Sequence, residues 1–260
     1  MSAGGADLRV ASWNLRSGLS IDRRSLWWAR RRRVARVLAE VDADVWAFQE
    51  VFGFQRSWLV RHGLPGGPWG QAGDGRNRFR SGEAVPVAWD ASAARLRSAR
   101  TCWLGPRPDR PGSVAPGAGS ARIATQVELE LAGGRAVWVV NTHLDAHSDA
   151  ARHAGAAQIV AWIGDLSTGA VGNVPLVVTG DMNATLDDAE LAPLLDAGLV
   201  SALPSSAGPT ATAFGTEPGR RLDHVLVSAA WEVVAAEVVT GAGTASDHYP
   251  VVADLRLRDG

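Results

Sequence analysis

The stretch Ile123-Ala124-Thr125-Gln126-Val127-Glu128-Leu129-Glu130-Leu131 places Ile123, Thr125, Val127, Leu129 and Leu131 on one side of an extended chain. That period of two belongs to a strand and not to a helix. Gly133-Gly134 follows as a hairpin turn, and Ala136 to Asn141 returns as a second strand. Working outward, Leu8 to Asn14 alternates Leu8, Val10 and Ser12 against Arg9, Ala11 and Trp13. Asp44 to Gln49 and Leu176 to Thr179 are short apolar runs that suit strands buried on both faces. Val85 to Trp89 reads as a strand at a sheet edge, because Pro86 cannot donate to a ladder. Leu222 to Ser228, Val233 to Val239 and Val251 to Leu257 complete the strand-like runs.

Helices are fewer. Arg23 to Glu40 carries Leu26, Ala29, Val34, Val37 and Leu38 at helical spacing. Ser148 is placed to cap a helix running to about Trp162, and a short helix is expected around Asp188 to Leu195. The glycine- and proline-rich stretches Gly63 to Gly82 and Gly105 to Gly119 read as long loops inside the domain. Mixed hairpins and crossovers predict an α/β fold of two packed sheets covered by helices, as one domain over residues 1–260.

With 46% hydrophobic and 20% charged residues, the chain has the composition of an ordinary globular protein. A net charge of -1 supplies no global field for nucleic acid, so any polyanion would have to be held locally. The lone Cys102 excludes an internal disulfide and a cysteine-based zinc site. No apolar run approaches the ~20 residues of a membrane span, and Met1 to Val10 lacks the pattern of a signal peptide. A cytoplasmic location with no obligate protein partner is the expectation. All 26 basic residues are arginine. Arg30 to Arg33 occupy four consecutive helical positions, which point all round the axis and read as a solvated surface.

Five stretches carry polar side chains where strand-like runs end: Ser12-Trp13-Asn14-Leu15, Phe48-Gln49-Glu50, Asn141-Thr142-His143-Leu144-Asp145, Gly180-Asp181-Met182-Asn183 and Ser246-Asp247-His248-Tyr249-Pro250. Together they offer the carboxylates, amides and imidazoles needed to hold a hard cation and cleave a phosphate ester. Glu50, at the end of a buried run, is a candidate cation ligand. Asp181 is suited to orient or deprotonate a water, with Asn183 holding it or a phosphate oxygen. His143 is a candidate phosphate contact. Asp145 either joins it or fixes the following loop. His248 beside Asp223 would stay oriented and favour its charged form. Each motif alone has a plain structural reading as a strand-end cap or turn, and the ordered set is what carries weight.

That set resembles the endonuclease/exonuclease/phosphatase family of DNase I-like, metal-dependent phosphohydrolases over about Val10 to Leu255. The resemblance implies a four-layer α/β/β/α sandwich and Mg²⁺ or Mn²⁺ as cofactor. It places Asn14, Glu50 and Asp247 at the metal, His143 at the phosphate, Asp181 and Asn183 at the attacking water, and His248 at the transition state with Asp223 orienting it. Cys102-Trp103-Leu104-Gly105-Pro106, Pro111-Gly112-Ser113, and Asn141 to Asp145 with Ser148 and Arg152 are similar to small bacterial hydrolases related to deadenylases. Arg16 stands where abasic-site endonucleases have an Asp, which weighs against a DNA-repair role.

The expected substrate is a phosphate ester, with nucleotides and single-stranded nucleic acid among the candidates, and Arg76 in the first long loop is a candidate reader of it. A duplex DNA endonuclease is a second reading that lacks a basic stripe to support it. A non-catalytic binding module is a third, and it sits poorly with a full set of acid and base residues. Of the eleven tryptophans, Trp27, Trp46, Trp138 and Trp162 are expected in the core, and Trp69 and Trp103 in loops where bases could stack.

Overall fold

The computed structural model describes residues 5–21, 26–164, 174–215 and 219–258. Its strands are β1 (Leu8–Asn14), β2 (Val45–Gln49), β3 (Trp69–Ala72), β4 (Val87–Asp90), β5 (Ala94–Trp103), β6 (Ile123–Leu131), β7 (Ala136–His143), β8 (Leu176–Asp181), β9 (Val200–Ser201), β10 (Asp223–Val227), β11 (Trp231–Val238) and β12 (Val251–Leu257). The α-helices are α1 (Trp27–Val41), α2 (Gly53–Trp58), α3 (Asp149–Gly164) and α4 (Ala192–Asp196). Two mixed six-stranded sheets result, one ordered β11-β12-β1-β2-β4-β3 and the other β5-β6-β7-β8-β10-β9.

Period-two alternation assigns each face of the central strands. Leu8 and Val10 of β1, Val45 of β2, Val137 and Val139 of β7, Val177 of β8 and Val225 of β10 meet in one buried cluster between the sheets. The opposite face of the first sheet, with Ala11, Trp13, Trp46 and Phe48, packs on Val34, Val37 and Leu38 of α1. The opposite face of the second, with Val140, Val178 and Leu226, packs on Ile159 and Ile163 of α3 and Leu194 of α4. The order of layers is therefore helix, sheet, sheet, helix. Each buried Val or Leu contributes roughly 1.5–3 kcal/mol of transfer free energy. Among the described residues no helix is long and apolar enough to cross a membrane.

Ser148 begins α3 as expected, its hydroxyl accepting from the Ala151 amide at 3.2 Å. The beginning expected for the first helix falls partly on residues 22–25, outside the described residues. Four other readings need correction. β4 is not an edge strand but lies between β2 and β3, because Pro86 sits just ahead of its first paired residue and no ladder donor is lost. β3 runs inside the expected Gly63–Gly82 loop, and β5 forms the edge of the second sheet. Trp103 is no loop residue: it ends β5, is buried, and donates from its indole to the Arg76 carbonyl at 2.7 Å. Arg30 is no surface residue: it is fully buried, with its guanidinium donating to the Arg16 and Ala245 carbonyls at 2.8 and 3.1 Å.

Gly180 lies within β8 and serves a close approach. Its backbone has φ +143°, and an added Cβ would stand 1.9 Å from the Thr142 carbonyl oxygen on the neighbouring parallel strand. Gly180→Ala should therefore destabilise the protein by about 3 kcal/mol or more, since the obstacle is backbone. Urea denaturation measures it, and a variant as stable as wild type would contradict this packing.

Candidate active site

The face that holds valines in mid-strand holds polar groups at the strand ends. Along β1 the inward row runs Leu8, Val10, Ser12, Asn14. Along β7 it runs Val137, Val139, Asn141, His143, and along β8 Val177, Thr179, Asp181. Register then aligns these ends: Asn14 pairs with Gln49, His143 with Asp181, and Asp223 with Asp181. Two polar tiers form above the apolar core.

The lower tier is buried and joins the sheets. The Gln49 amide donates to the Asn141 side-chain oxygen at 2.7 Å and to the Ser12 hydroxyl at 3.1 Å. The Asn141 amide donates in turn to the Phe48 and Pro86 carbonyls at 2.8 and 2.9 Å. Gln49 and Asn141 lay in the motifs, but only the pairing of the sheets reveals that they face one another.

In the upper tier the Asn14 amide donates to Glu50 Oε1 at 3.0 Å and to Asp181 Oδ2 at 2.9 Å, tying a carboxylate of each sheet to one side chain. The second Glu50 oxygen accepts from the Ser17 amide at 2.8 Å, and Asn14 Oδ1 from the Arg16 amide at 2.9 Å. His143 Nε2 lies 3.6 Å and His248 Nε2 3.9 Å from Asp181 Oδ2. His248 Nδ1 bonds Asp223 at 2.7 Å, and Trp13 fixes the His248 backbone through its indole at 2.9 Å. Thr210 bonds the Asp223 amide at 3.0 Å. Asn183 donates from its backbone to Asp181 at 3.0 Å and from its side chain to the Leu144 carbonyl at 3.0 Å. Arg16, Glu50 and Asn183 hold positive φ of 57°, 60° and 51°. Asn tolerates this region, whereas for Arg and Glu it stores roughly 1–2 kcal/mol each, which the bonds just described hold in place.

A cleft of about 390 Å³ opens over this tier, lined by Glu50, His143, Asp181, Asn183 and His248 and by three arginines, Arg16, Arg76 and Arg122. Arg76 is in the wall, ion-paired to Glu83 at 2.6 Å. Arg122 went unnoticed in the sequence, where nothing marks a single arginine ahead of a strand. Among the described residues its side chain bonds through Nε alone, to Asp145 at 3.4 Å, and it lines the cleft. Asp145 also accepts from the amides of Gly119, His147 and Ser148, so it fixes the loop after β7. Asp247 is held by Arg16 at 3.2 Å and by the Ser246 hydroxyl at 3.2 Å. Of the residues singled out in the sequence, Asn14, Glu50, Arg76, His143, Asp181, Asn183, Asp223 and His248 converge on or directly beneath this cleft, with Asp247 behind Arg16.

Burial pushes the Asp181 carboxyl up, and the neighbouring Asp223 adds to this, to about 7. His248 is the opposite case for a base. Burial works against its charge, but Asp223 and Asp181 outweigh it and raise the imidazolium to about 10. Burial, then Arg122, His248 and Arg76, hold His143 well below the usual histidine range. The two imidazoles therefore carry opposite protonation states at neutral pH.

The donor set fits a divalent cation. Arg16, Arg76, Arg122 and His248 each have an acid partner, respectively Asp247, Glu83, Asp145 and Asp223. Glu50 and Asp181, joined through the Asn14 amide, have no arginine partner among the described residues, and Glu50 pairs with no imidazole either, so its carboxylate is the one a cation would neutralise. The oxygens offered are hard donors of the kind magnesium and manganese take. Ligand atoms of Asp181, Asp223 and His248 also lie within 4.8 Å of one another. There Asp223 takes up His248 Nδ1 at 2.7 Å, and Asp223 and Asp181 favour the charged form of the imidazole.

The model of the Endonuclease/Exonuclease/phosphatase family matches residues 11–248. The chain belongs to this family, a group of phosphoric-ester hydrolases that generally depend on a divalent cation. Among solved structures, the endonuclease/exonuclease/phosphatase from Bacteroides vulgatus is 28% identical with a TM-score of 0.87, over 96% of this chain and 99% of that one. The Bacteroides thetaiotaomicron mannosyl-6-phosphatase is 25% identical with a TM-score of 0.85, over 95% and 99%. The human Nocturnin catalytic domain, solved with a bound sulfate anion, shares the fold at 19% identity and a TM-score of 0.74, over 96% and 93%. No curated protein sequence matches significantly.

The lower tier generates a stability test. Asn141→Ala leaves the Gln49 amide short of its best partner and takes a donor from the Phe48 carbonyl in a fully buried layer, while the Pro86 carbonyl keeps the Phe48 amide at 3.0 Å. It should cost about 1–3 kcal/mol per unsatisfied group, whereas the double variant Gln49→Leu/Asn141→Leu should recover part of that loss. Thermal unfolding of the single and double variants reads the difference.

Proposed function

We propose that this protein is a single-domain, cytoplasmic phosphoesterase that uses Mg²⁺ or Mn²⁺ to hydrolyse a small or single-stranded phosphate ester by direct attack of water. The observation that supports this most is the Asn14 amide joining Glu50 and Asp181 across the two sheets, with an imidazole on either side of Asp181. Glu50 would hold the cation, with Asn14 orienting it and Asp247 alongside. When bound, the cation supplies charge neutralisation at the phosphate oxygens.

The protein groups divide the remaining work. Asp181, held by Asn14 and the Asn183 amide, orients a water and takes its proton at Oδ2, a role that its raised pKa makes more favourable near neutrality. His248 stays protonated because Asp223 bonds its Nδ1, so Nε2–H points a positive charge towards the phosphorus centre. His143, neutral, contributes a hydrogen bond to a phosphate oxygen without adding charge. Arg122 presents its terminal nitrogens to a second oxygen in the two-pronged manner suited to phosphate, and Arg76, braced by Glu83, stands beside it.

Three outcomes are expected. Metal-dependent hydrolysis of bis(p-nitrophenyl) phosphate or a nucleotide should appear with Mg²⁺ or Mn²⁺ and vanish with EDTA. Asp181→Ala and His248→Ala should each lower kcat by about 10²–10⁴, the usual range for a lost acid-base group. Turnover that persists without metal, or survives both substitutions, would contradict the mechanism. Asp223→Asn should act through His248: kcat falls and the basic limb of the pH–rate profile moves to lower pH, because the imidazolium loses the carboxylate that stabilises it. A lower kcat with an unmoved limb would remove Asp223 from this role.

A further inference from the structure

A second basic hollow lies next to the cleft and has no part in the chemistry above. It has a volume of about 400 Å³ and is walled by Arg78 on one loop and by the Pro106–Val114 segment, with Arg107, Arg110 and Ser113, on the other. No acidic residue lines it. Among the described residues none of these three guanidiniums has a carboxylate partner, and Arg78 only faces the Phe79 ring at 5.7 Å. Some exposed arginines elsewhere reach acids, as Arg95 and Arg97 reach Glu130 and Arg220 reaches Asp188, and others such as Arg61 reach none among the described residues; what sets Arg78, Arg107 and Arg110 apart is that they line one hollow. Three uncompensated cations in one hollow repel one another unless an anion enters.

The hollow is also preformed. Pro106, Pro108 and Pro111 fix φ along the second loop. Hydrogen bonds from Arg110 to Arg107, from Ser113 to Arg110, and from the Arg107 amide to the Ser113 hydroxyl close it at 3.0, 3.0 and 3.1 Å. The Trp103 amide donates to Pro108 at 2.9 Å while its indole holds Arg76. Gly112 lies so close to the first loop that a Cβ there would meet the Arg78 nitrogen at 3.0 Å. The same first loop turns Arg76 into the catalytic cleft and Arg78 into the hollow. The Cα atoms of Arg76 and Arg78 therefore lie within about 7 Å of one another, and this one loop is a wall of both the cleft and the hollow.

We propose that this hollow, resting on the phosphoesterase reading of the neighbouring cleft, binds a second phosphate group of the same substrate, the flanking phosphate of a short single-stranded oligonucleotide. Guanidiniums match phosphate through paired N–H donors. Phe79, 84% exposed beside Arg78, offers a ring face on which the intervening base stacks. The arginines here position substrate and do not touch the reacting atoms.

The test uses the full chain with two readouts. In EDTA, fluorescence anisotropy of labelled hexathymidylate should show binding by wild type that Arg107→Ala/Arg110→Ala weakens on the order of tenfold. The slope of log K against log salt should fall by about 1.4, or 0.7 for each lost contact with a single strand. Arg107→Lys/Arg110→Lys should keep much of the affinity. A hexathymidylate with a neutral methylphosphonate backbone should bind poorly to all three proteins. Unlabelled tripolyphosphate should displace the oligonucleotide only weakly if a flanking phosphate on a nucleoside chain is what fits, and strongly if free polyphosphate is the better ligand, which would overturn the oligonucleotide assignment. With Mn²⁺, bis(p-nitrophenyl) phosphate should be cleaved equally by wild type and the alanine variant. The proposal is overturned by absent oligonucleotide binding, by equal affinities for wild type and the alanine variant, by tight binding of the neutral strand, or by an equal loss on both substrates. Failure to cleave the small diester at all would instead count against the phosphoesterase reading, and the anisotropy would still decide the hollow.

Discussion

A strand that buries valines on one face has no freedom over where its last inward residue points. Leu8, Val10, Ser12 and Asn14 share a face because side chains alternate, and the same parity carries Val137 to His143 and Val177 to Asp181. Once two such faces pack about 10 Å apart, the polar ends of their strands must meet over the edge of the core. The 2.9 Å bond from Asn14 to Asp181 and the 2.7 Å bond from Gln49 to Asn141 record that meeting. A slip of one residue in any of these strands would turn its polar end toward a helix layer and bring an aromatic or aliphatic group to the cleft. His224 shows the other parity: one residue along from Asp223, it is buried on the helix side, bonded to the Ala184 carbonyl at 2.9 Å.

The core thus selects which residues reach the site, and local backbone sets their aim. Glu50 leaves β2 in a left-handed conformation that a glutamate does not favour, and Arg16 does the same after β1. Both are caught by neighbours across the first sheet: Ser17 and Asn14 hold Glu50, while Arg30 and Gln55 donate to the Arg16 carbonyl at 2.8 and 3.2 Å. Arg30 is the less obvious of these supports. Burial holds its pKa down to about 10 against the opposing pull of Asp247 and Glu50, and it joins the loop after β1 to the segment just before Asp247.

Legibility in the sequence followed burial. Strands whose inward row is apolar, such as β1, β2, β6, β8 and β12, announce themselves by alternation or by unbroken valines, and their ends mark the site. β5 gives no such signal, because residues 95–100 are exposed at a sheet edge where Arg95, Arg97 and Ser98 bond Glu128 and Glu130 instead of packing. Pro86 misled for a related reason: a proline excludes a ladder donor only at its own position, and the strand starts one residue later. The motifs at the strand ends are readable because several polar residues stand together. Arg122 is not, since one arginine ahead of a strand means nothing until β6 is folded beside Arg76. Arg30 was hidden by its neighbours, for Arg31, Arg32 and Arg33 are solvated as a run of charge predicts while the first of the four turns inward.

Environment also separates groups that are chemically identical. His143 and His248 both approach Asp181, at 3.6 and 3.9 Å, and both are buried. Desolvation alone would hold both neutral. His248 escapes that fate because Asp223 reaches its other nitrogen, whereas His143 has Arg122 and Arg76 as neighbours and no second carboxylate. One charged and one neutral imidazole on either side of a carboxyl near pH 7 is an asymmetry that can receive a proton on one side and stabilise negative charge on the other. It is set by the placement of Asp223 on β10, antiparallel to β8 and directly opposite Asp181, so the protonation pattern of the cleft follows from strand order and register.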